Sequence, residues 1–301
     1  MSSIQRPAFY GLAAIVVLGT AYSVAYGTYL DTSNPLLSHL PHPLSTSHYF
    51  ASKKNFLNVY FVKKAWGWTS AAFLLSWFTS PGGQRRSLGA TRRLITYLAL
   101  TALWLVFTGW FFGPAILERI VVASGGECVL PGTSGLPVTV PNEFCFTKST
   151  ISTQSHPELF TQFSTTNVGD EDPSLKPLVL IEGIPRLRKG HDVSGHIFLL
   201  TMSILLLAEQ LQASFNVDQK FWGALHKVVV ILNAALLVVW MWASATTSVY
   251  FHSPLEKFTG LFLGFVAYGL TQLPYYFESR AQPSSTQPIP LTERSSRTKS
   301  Q

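Results

Sequence analysis

Six long apolar runs alternate with polar connections along this chain, and that alternation sets the expected architecture. The runs cover about residues 9–26, 59–78, 94–117, 193–215, 225–250 and 255–277. Each approximates the roughly 20 helical residues that a bilayer core requires. They are continuous rather than period-two, so a barrel wall is not indicated, and lipid then leaves helices as the way to satisfy the backbone. The pattern predicts an all-α polytopic membrane protein with six transmembrane helices. Ala21 to Ala25 offers small residues for signal-peptide cleavage, but the first run is long for such a peptide and reads as a retained helix.

Composition agrees. Hydrophobic residues make up 47% of the chain, charged residues only 12%, and mean hydropathy is +0.25. A soluble domain carries about a quarter charged residues. The net charge of +7 sits largely in clusters beside the runs and calls for no nucleic acid. Arg85, Arg86, Arg92 and Arg93 crowd the second connection without an acid, which puts that connection in the cytosol. Both termini then lie in the cytosol and residues 118–192 lie in the lumen or outside. Arg280, Arg294, Arg297 and Lys299 agree with this, in a tail (278–301) whose Ser, Pro, Gln and Thr content predicts disorder. Lys53, Lys54, Lys63 and Lys64 oppose it, because they fall on the far side.

The 118–192 connection is rich in Gly, Ser, Thr and Pro, which argues against a compact domain. It holds both cysteines, Cys128 and Cys145. On the oxidising side of a membrane a disulfide between them is expected, worth about 3 kcal/mol in the chain-entropy treatment. Two free thiols are the alternative.

Two stretches carry candidate chemistry. Gly190-His191-Asp192-Val193-Ser194-Gly195-His196 opens the fourth run, and Tyr250-Phe251-His252 separates the fifth from the sixth. The topology puts His196 and His252 on one membrane face and His226 on the other. Each stretch also precedes a helix N-terminus. Ser253-Pro254-Leu255-Glu256 reads as a capping box, and Asp192 or Ser194 can cap the fourth helix. Helix N-termini favour phosphate, and Arg186, Arg188 and Lys189 add positive charge nearby. A neutral histidine can attack phosphorus while a protonated one donates to the leaving oxygen, with no metal or cofactor required. Ordinary readings stay open beside this one. A histidine at a membrane border is often an amphipathic interface residue, Ser194 and Glu256 can be caps alone, and the basic residues can bind lipid head groups. His39, His42 and His48 have no compact metal-ligand spacing and read as loop residues. Glu209, beside Gln210 and Gln212, reads as the fourth helix leaving the bilayer.

His191-Asp192-Val193-Ser194-Gly195-His196-Ile197-Phe198-Leu199-Leu200, followed by Tyr250-Phe251-His252, Lys257, Gly260 and Gly264, resembles the fat storage-inducing transmembrane family. The resemblance covers the membrane body, about residues 9–277, without the long loop or the tail. It implies a lipid phosphate phosphatase-like bundle in the endoplasmic reticulum membrane, with a luminal site. It further implies an acyl-CoA diphosphatase that converts fatty acyl-CoA to acyl 4′-phosphopantetheine and adenosine 3′,5′-bisphosphate and supports lipid-droplet formation. Fatty acyl-CoA and neutral lipids are the implied partners. By the same resemblance His196 is the general acid, His252 the nucleophile and Glu256 the group that orients it. Ser194 and Gly195, with Arg186, Arg188 and Lys189, are the expected phosphate-binding residues. The chain departs from the wider phosphatase pattern in two places: Val193 stands where proline is usual, and Thr246 where an arginine is expected. Two rival readings remain. One is a non-enzymatic protein that binds diacylglycerol or triacylglycerol, and the other is a transporter with Glu209 and Asn233 along its path.

Overall fold

The computed structural model describes residues 3–30, 41–81, 87–109, 114–131, 137–160 and 182–281. His39, Arg85, Arg86 and the tail beyond Ala281 lie outside the described residues. Helix α1 spans Gln5–Ala25. A π turn at Leu57–Phe61 and a 3-10 turn at Val62–Lys64 lead into α2, Ala65–Thr79. Next come α3 (Leu88–Thr108) and a short α4 (Ile116–Ala123). After a small β-containing subdomain the chain forms α6 (Gly195–Phe215), α7 (Ala224–Tyr250) and α8 (Pro254–Ala281). Among the described residues α1, α3, α6 and α7 are long and apolar enough to cross a membrane.

Helix α6 is the axis of the bundle. Of its apolar window 78% is buried, against 22–33% in the other three. It carries leucine, isoleucine and phenylalanine on all sides, the pattern of a helix surrounded by protein. Leu12 and Val16 of α1, Trp240 of α7 and Ile204 of α6 share one core cluster. Phe73 of α2, Leu100 of α3 and Phe198 of α6 share a second, so α6 divides the two.

The third helix begins at Leu88, not at Leu94, and ends at Thr108, short of Leu117. Ser87 caps it, its hydroxyl accepting from the Ala90 N–H at 3.3 Å. Arg92 and Arg93 are therefore helical rather than part of a loop. Arg93 is buried and donates to Gln210 Oε1 at 2.9 Å. Gln210 and Gln212 both find partners on neighbouring segments. Gln212 accepts from the Ile4 N–H at 2.9 Å, and Glu209 accepts from the Tyr268 hydroxyl at 2.8 Å. These polar side chains tie α6 to α1, α3 and α8, because a polar group inside a bundle must find its partner there.

The 118–192 connection differs most from expectation, since it builds a packed subdomain. Strands β1 (Glu127–Pro131) and β2 (Pro137–Thr139) are followed by a one-turn helix α5 (Asn142–Thr147). Strands β3 (Ile151–Ser152), β4 (Glu182–Gly183) and β5 (Arg186–Arg188) complete it. The three-stranded sheet runs β2–β1–β5 and is antiparallel, with Cys128 opposite Leu187. Cys128 and Cys145 are joined in a disulfide, with Cα atoms 5.8 Å apart, inside a cluster that includes Leu130, Val138, Ile151 and Phe160. Replacing both cysteines by serine is expected to destabilise the subdomain by about 3 kcal/mol. Limited proteolysis should then cut within residues 118–192 faster than in the wild type, and unchanged cleavage rates would contradict this. The sheet returns the chain to the bundle at Gly190, which sits in the left-handed region at φ +72°. A Cβ there would collide with the Val121 carbonyl oxygen at the end of α4.

Candidate active site

Three helix ends meet at one end of the bundle. Ser194 caps α6, its hydroxyl accepting from the Ile197 N–H at 3.4 Å. Helix α7 closes with Phe251, whose N–H donates to the Thr247 carbonyl. His252 then adopts a left-handed conformation, φ +64°, uncommon for a residue with a side chain and frequent where function demands it. That single residue turns the chain into α8, where the capping box forms. The Glu256 carboxylate accepts from the Ser253 N–H at 3.0 Å, and the Ser253 hydroxyl from the Glu256 N–H at 3.5 Å. The same carboxylate lies 3.2 Å from His252 Nδ1.

The approach of α8 to α6 brings the two stretches together. The Ser194 N–H donates to the Glu256 carbonyl at 3.1 Å. Added Cβ atoms at Gly260 and Gly264 would lie 2.6 Å from Ser194 O and 2.6 Å from Thr201 Cβ. Only the absence of side chains permits that packing. Lys257, fully buried, fixes the remaining side by donating to Ser23 Oγ of α1 at 2.8 Å and to the Ser248 carbonyl of α7 at 2.6 Å.

The His196 and His252 rings lie edge to face, with centroids 6.2 Å apart and planes at 69°. Both line a cavity of about 320 Å³. Its polar wall includes Lys53, Asn55, Asn58, Lys63 and Asp192, and its apolar wall includes Leu57, Val62 and Phe251. The π and 3-10 turns before α2 supply Leu57, Asn58, Val62 and Lys63 of this lining. Lys63 stands within electrostatic reach of His196. Burial pushes the Asp192 carboxyl above its ordinary pKa; neighbouring His252 opposes that rise and the Glu256 charge adds to it.

The remaining predicted residues distribute otherwise. Ser194 is fully buried, with its hydroxyl and N–H both engaged in helix packing, so its part here is that of a cap. Neither it nor Gly195 lines the cavity. Arg186, Arg188 and Lys189 line an adjoining groove of about 550 Å³ beside the subdomain, where Lys189 pairs with Glu127 at 3.0 Å. Lys54 and Lys64 line neither space. His226, at the start of α7, bonds Thr79 Oγ1 at 3.0 Å and stands apart from the pair. His42 bonds the Thr28 carbonyl at 2.9 Å and packs edge-on to Phe251. Asp192, Asn55 and Asn58 were not anticipated as lining. An aspartate five residues before Ile197 gives only a capping signal, and the asparagines come from a distant connection.

The profile of the fat storage-inducing transmembrane protein family matches residues 46–271. The chain belongs to that family. The match takes in both histidines and the subdomain alike. Acyl-coenzyme A diphosphatase fit1 of Schizosaccharomyces pombe is 28% identical over 269 residues, covering 89% of this chain and 83% of its own length. Acyl-coenzyme A diphosphatase FITM2 of Sus scrofa is 29% identical over 280 residues, covering 88% and 89%. The Homo sapiens protein of that name is 28% identical over 233 residues, covering 75% and 72%. No solved structure matches. Asn55, Asn58, Lys53 and Lys63 of this family member all fall inside the matched residues.

Proposed function

We propose that this family member is a fatty acyl-CoA diphosphatase of the endoplasmic reticulum membrane. On this reading α2 and α8 also span the bilayer, completing six helices in a lipid phosphate phosphatase-like bundle. Both termini are cytosolic and the cavity is luminal, beside the disulfide-bonded subdomain. Lys53 and Lys63, which oppose that orientation by charge alone, are explained as cations serving the cavity. The observation that carries the reading is the pair His196 and His252 in a cavity that also holds Lys53 and Lys63.

The chemistry follows from the hydrogen bond to Glu256. With the carboxylate on Nδ1, the His252 proton resides there and Nε2 presents its lone pair. Nε2 attacks one phosphorus of the diphosphate, forming a P–N bond as the bridging P–O bond breaks. His196, protonated, gives its proton to the departing bridging oxygen. Water, deprotonated by His196, then attacks the phosphohistidine and frees Nε2. Lys63 supplies positive charge to the phosphate oxygens, in a cavity where Thr246 replaces the arginine of the wider phosphatase pattern. The acyl chain leaves the cavity between helices.

The test is hydrolysis of a long-chain acyl-CoA by purified protein in detergent containing EDTA. The expected result is release of adenosine 3′,5′-bisphosphate and acyl 4′-phosphopantetheine at an undiminished rate. Loss of turnover in chelator would overturn the metal-free mechanism. No turnover under any condition would leave the neutral lipid-binding reading, with its part in droplet formation, in front.

A further inference from the structure

An acyl-CoA carries three phosphates, and the two-histidine pair engages only the diphosphate. The third, on the ribose, must lie some distance along the nucleotide. Asp192 lines both the cavity and the adjoining groove of about 550 Å³, so the two spaces meet at that residue. On one side of the junction stands Lys53 and on the other Arg186, both exposed. They come from parts of the chain more than a hundred residues apart, Arg186 from β5 and Lys53 from the connection that precedes α2.

The charges at this junction are uneven. Lys189 is paired with Glu127 and Lys148 with Glu118. Among the described residues neither Lys53 nor Arg186 has an acid within ion-pair distance. Arg186 stands within electrostatic reach of Lys53, whose ammonium pKa is lowered first by burial and then by the Arg186 charge. Like charges that lack an ion-pair partner are unfavourable near one another unless an anion joins them. Arg186 offers a fork suited to phosphate and Lys53 a compact point charge.

We propose that Lys53 and Arg186 form a second anion subsite, at the junction of cavity and groove, that takes the ribose 3′-phosphate of the nucleotide. This rests on the acyl-CoA reading above. The subdomain then acts as the reader of the nucleotide end, with its sheet holding Arg186 at the edge of the membrane site.

Two measurements test the subsite. In the first, purified wild-type, K53Q, R186Q and K53R proteins are compared on acyl-CoA and on its 3′-dephospho analogue. K53Q and R186Q should each raise KM for acyl-CoA about tenfold more than KM for the analogue, with kcat little changed. K53R should restore most of the difference. A rise of equal size on both substrates, or none, overturns the subsite while leaving hydrolysis intact. In the second, calorimetry compares adenosine 3′,5′-bisphosphate with adenosine 5′-monophosphate and needs no turnover. Wild-type protein should prefer the bisphosphate and both glutamine variants should lose that preference. Equal binding of the two nucleotides to wild-type protein overturns the proposal even if the hydrolase reading has already failed.

Discussion

Replacing His252 by asparagine should lower kcat on acyl-CoA by on the order of 10⁴ or more, because a reaction cannot proceed through a nucleophile that is absent. Asparagine keeps a polar group of similar reach and tolerates the left-handed backbone at φ +64°, so the fold should survive. His196→Asn should cost less, between about 10² and 10⁴, the range for a lost general acid or base. The two variants should also differ in kind. With an activated leaving group on the substrate, the His196 variant should recover much of its first step and accumulate a phosphorylated protein, detectable with labelled substrate. The His252 variant should do neither. Retention of more than a tenth of wild-type kcat in His252→Asn, with the protein folded, would sink the nucleophile assignment. Both rates are read by release of adenosine 3′,5′-bisphosphate.

Four of the six expected spans, α1, α3, α6 and α7, are long and apolar enough to cross a membrane among the described residues. They were readable because lipid makes a single demand, that apolar helices be long enough. Local chemistry at the site was readable for a similar reason. The Ser253–Glu256 capping box and the Ser194 cap depend on residues three positions apart and are present at 3.0–3.5 Å. What escaped reading depends on partners distant in sequence. Arg92 and Arg93 look like a charged loop until Gln210 of another helix accepts a hydrogen bond from Arg93. The 118–192 connection looks formless because its strands are two to five residues long and its core is gathered by a disulfide rather than by periodicity. Charge alone could not separate Lys53 and Lys63, which line the cavity, from Lys54 and Lys64, which do not. The 3-10 turn before α2 sets Lys63 on the cavity wall and Lys64 off it. Arg186, Arg188 and Lys189 read in sequence as one phosphate-binding group; β5 carries the two arginines, and the turn after it Lys189, to a neighbouring groove.

Gly260→Ala should damage the site through helix spacing alone. A methyl group there would sit 2.6 Å from the Ser194 carbonyl oxygen and 3.2 Å from Ser194 Cβ. Backbone cannot yield as a flexible side chain can, so α8 must move away from α6. That movement stretches the 3.1 Å bond between the Ser194 N–H and the Glu256 carbonyl. Glu256 then shifts, and with it the His252 ring that its carboxylate holds at 3.2 Å. Displacement by about 1 Å in such a constellation is enough for roughly a hundredfold loss in kcat/KM. Gly264→Leu acts one turn deeper, against Thr201 Cβ and the Phe198 carbonyl. Overpacking of this kind costs about 1–3 kcal/mol, so its main expected effect is a lower Tm in detergent. Gly269 on the same helix is the internal control, since a methyl group there meets nothing within 4 Å. Its alanine variant should match wild type in both Tm and kcat/KM. If Gly260→Ala matched it too, close approach of α8 to α6 would not be what assembles the histidine pair. A loss confined to Gly260 and Gly264 would show that these two glycines, which touch no substrate, set the distance across which the reaction runs.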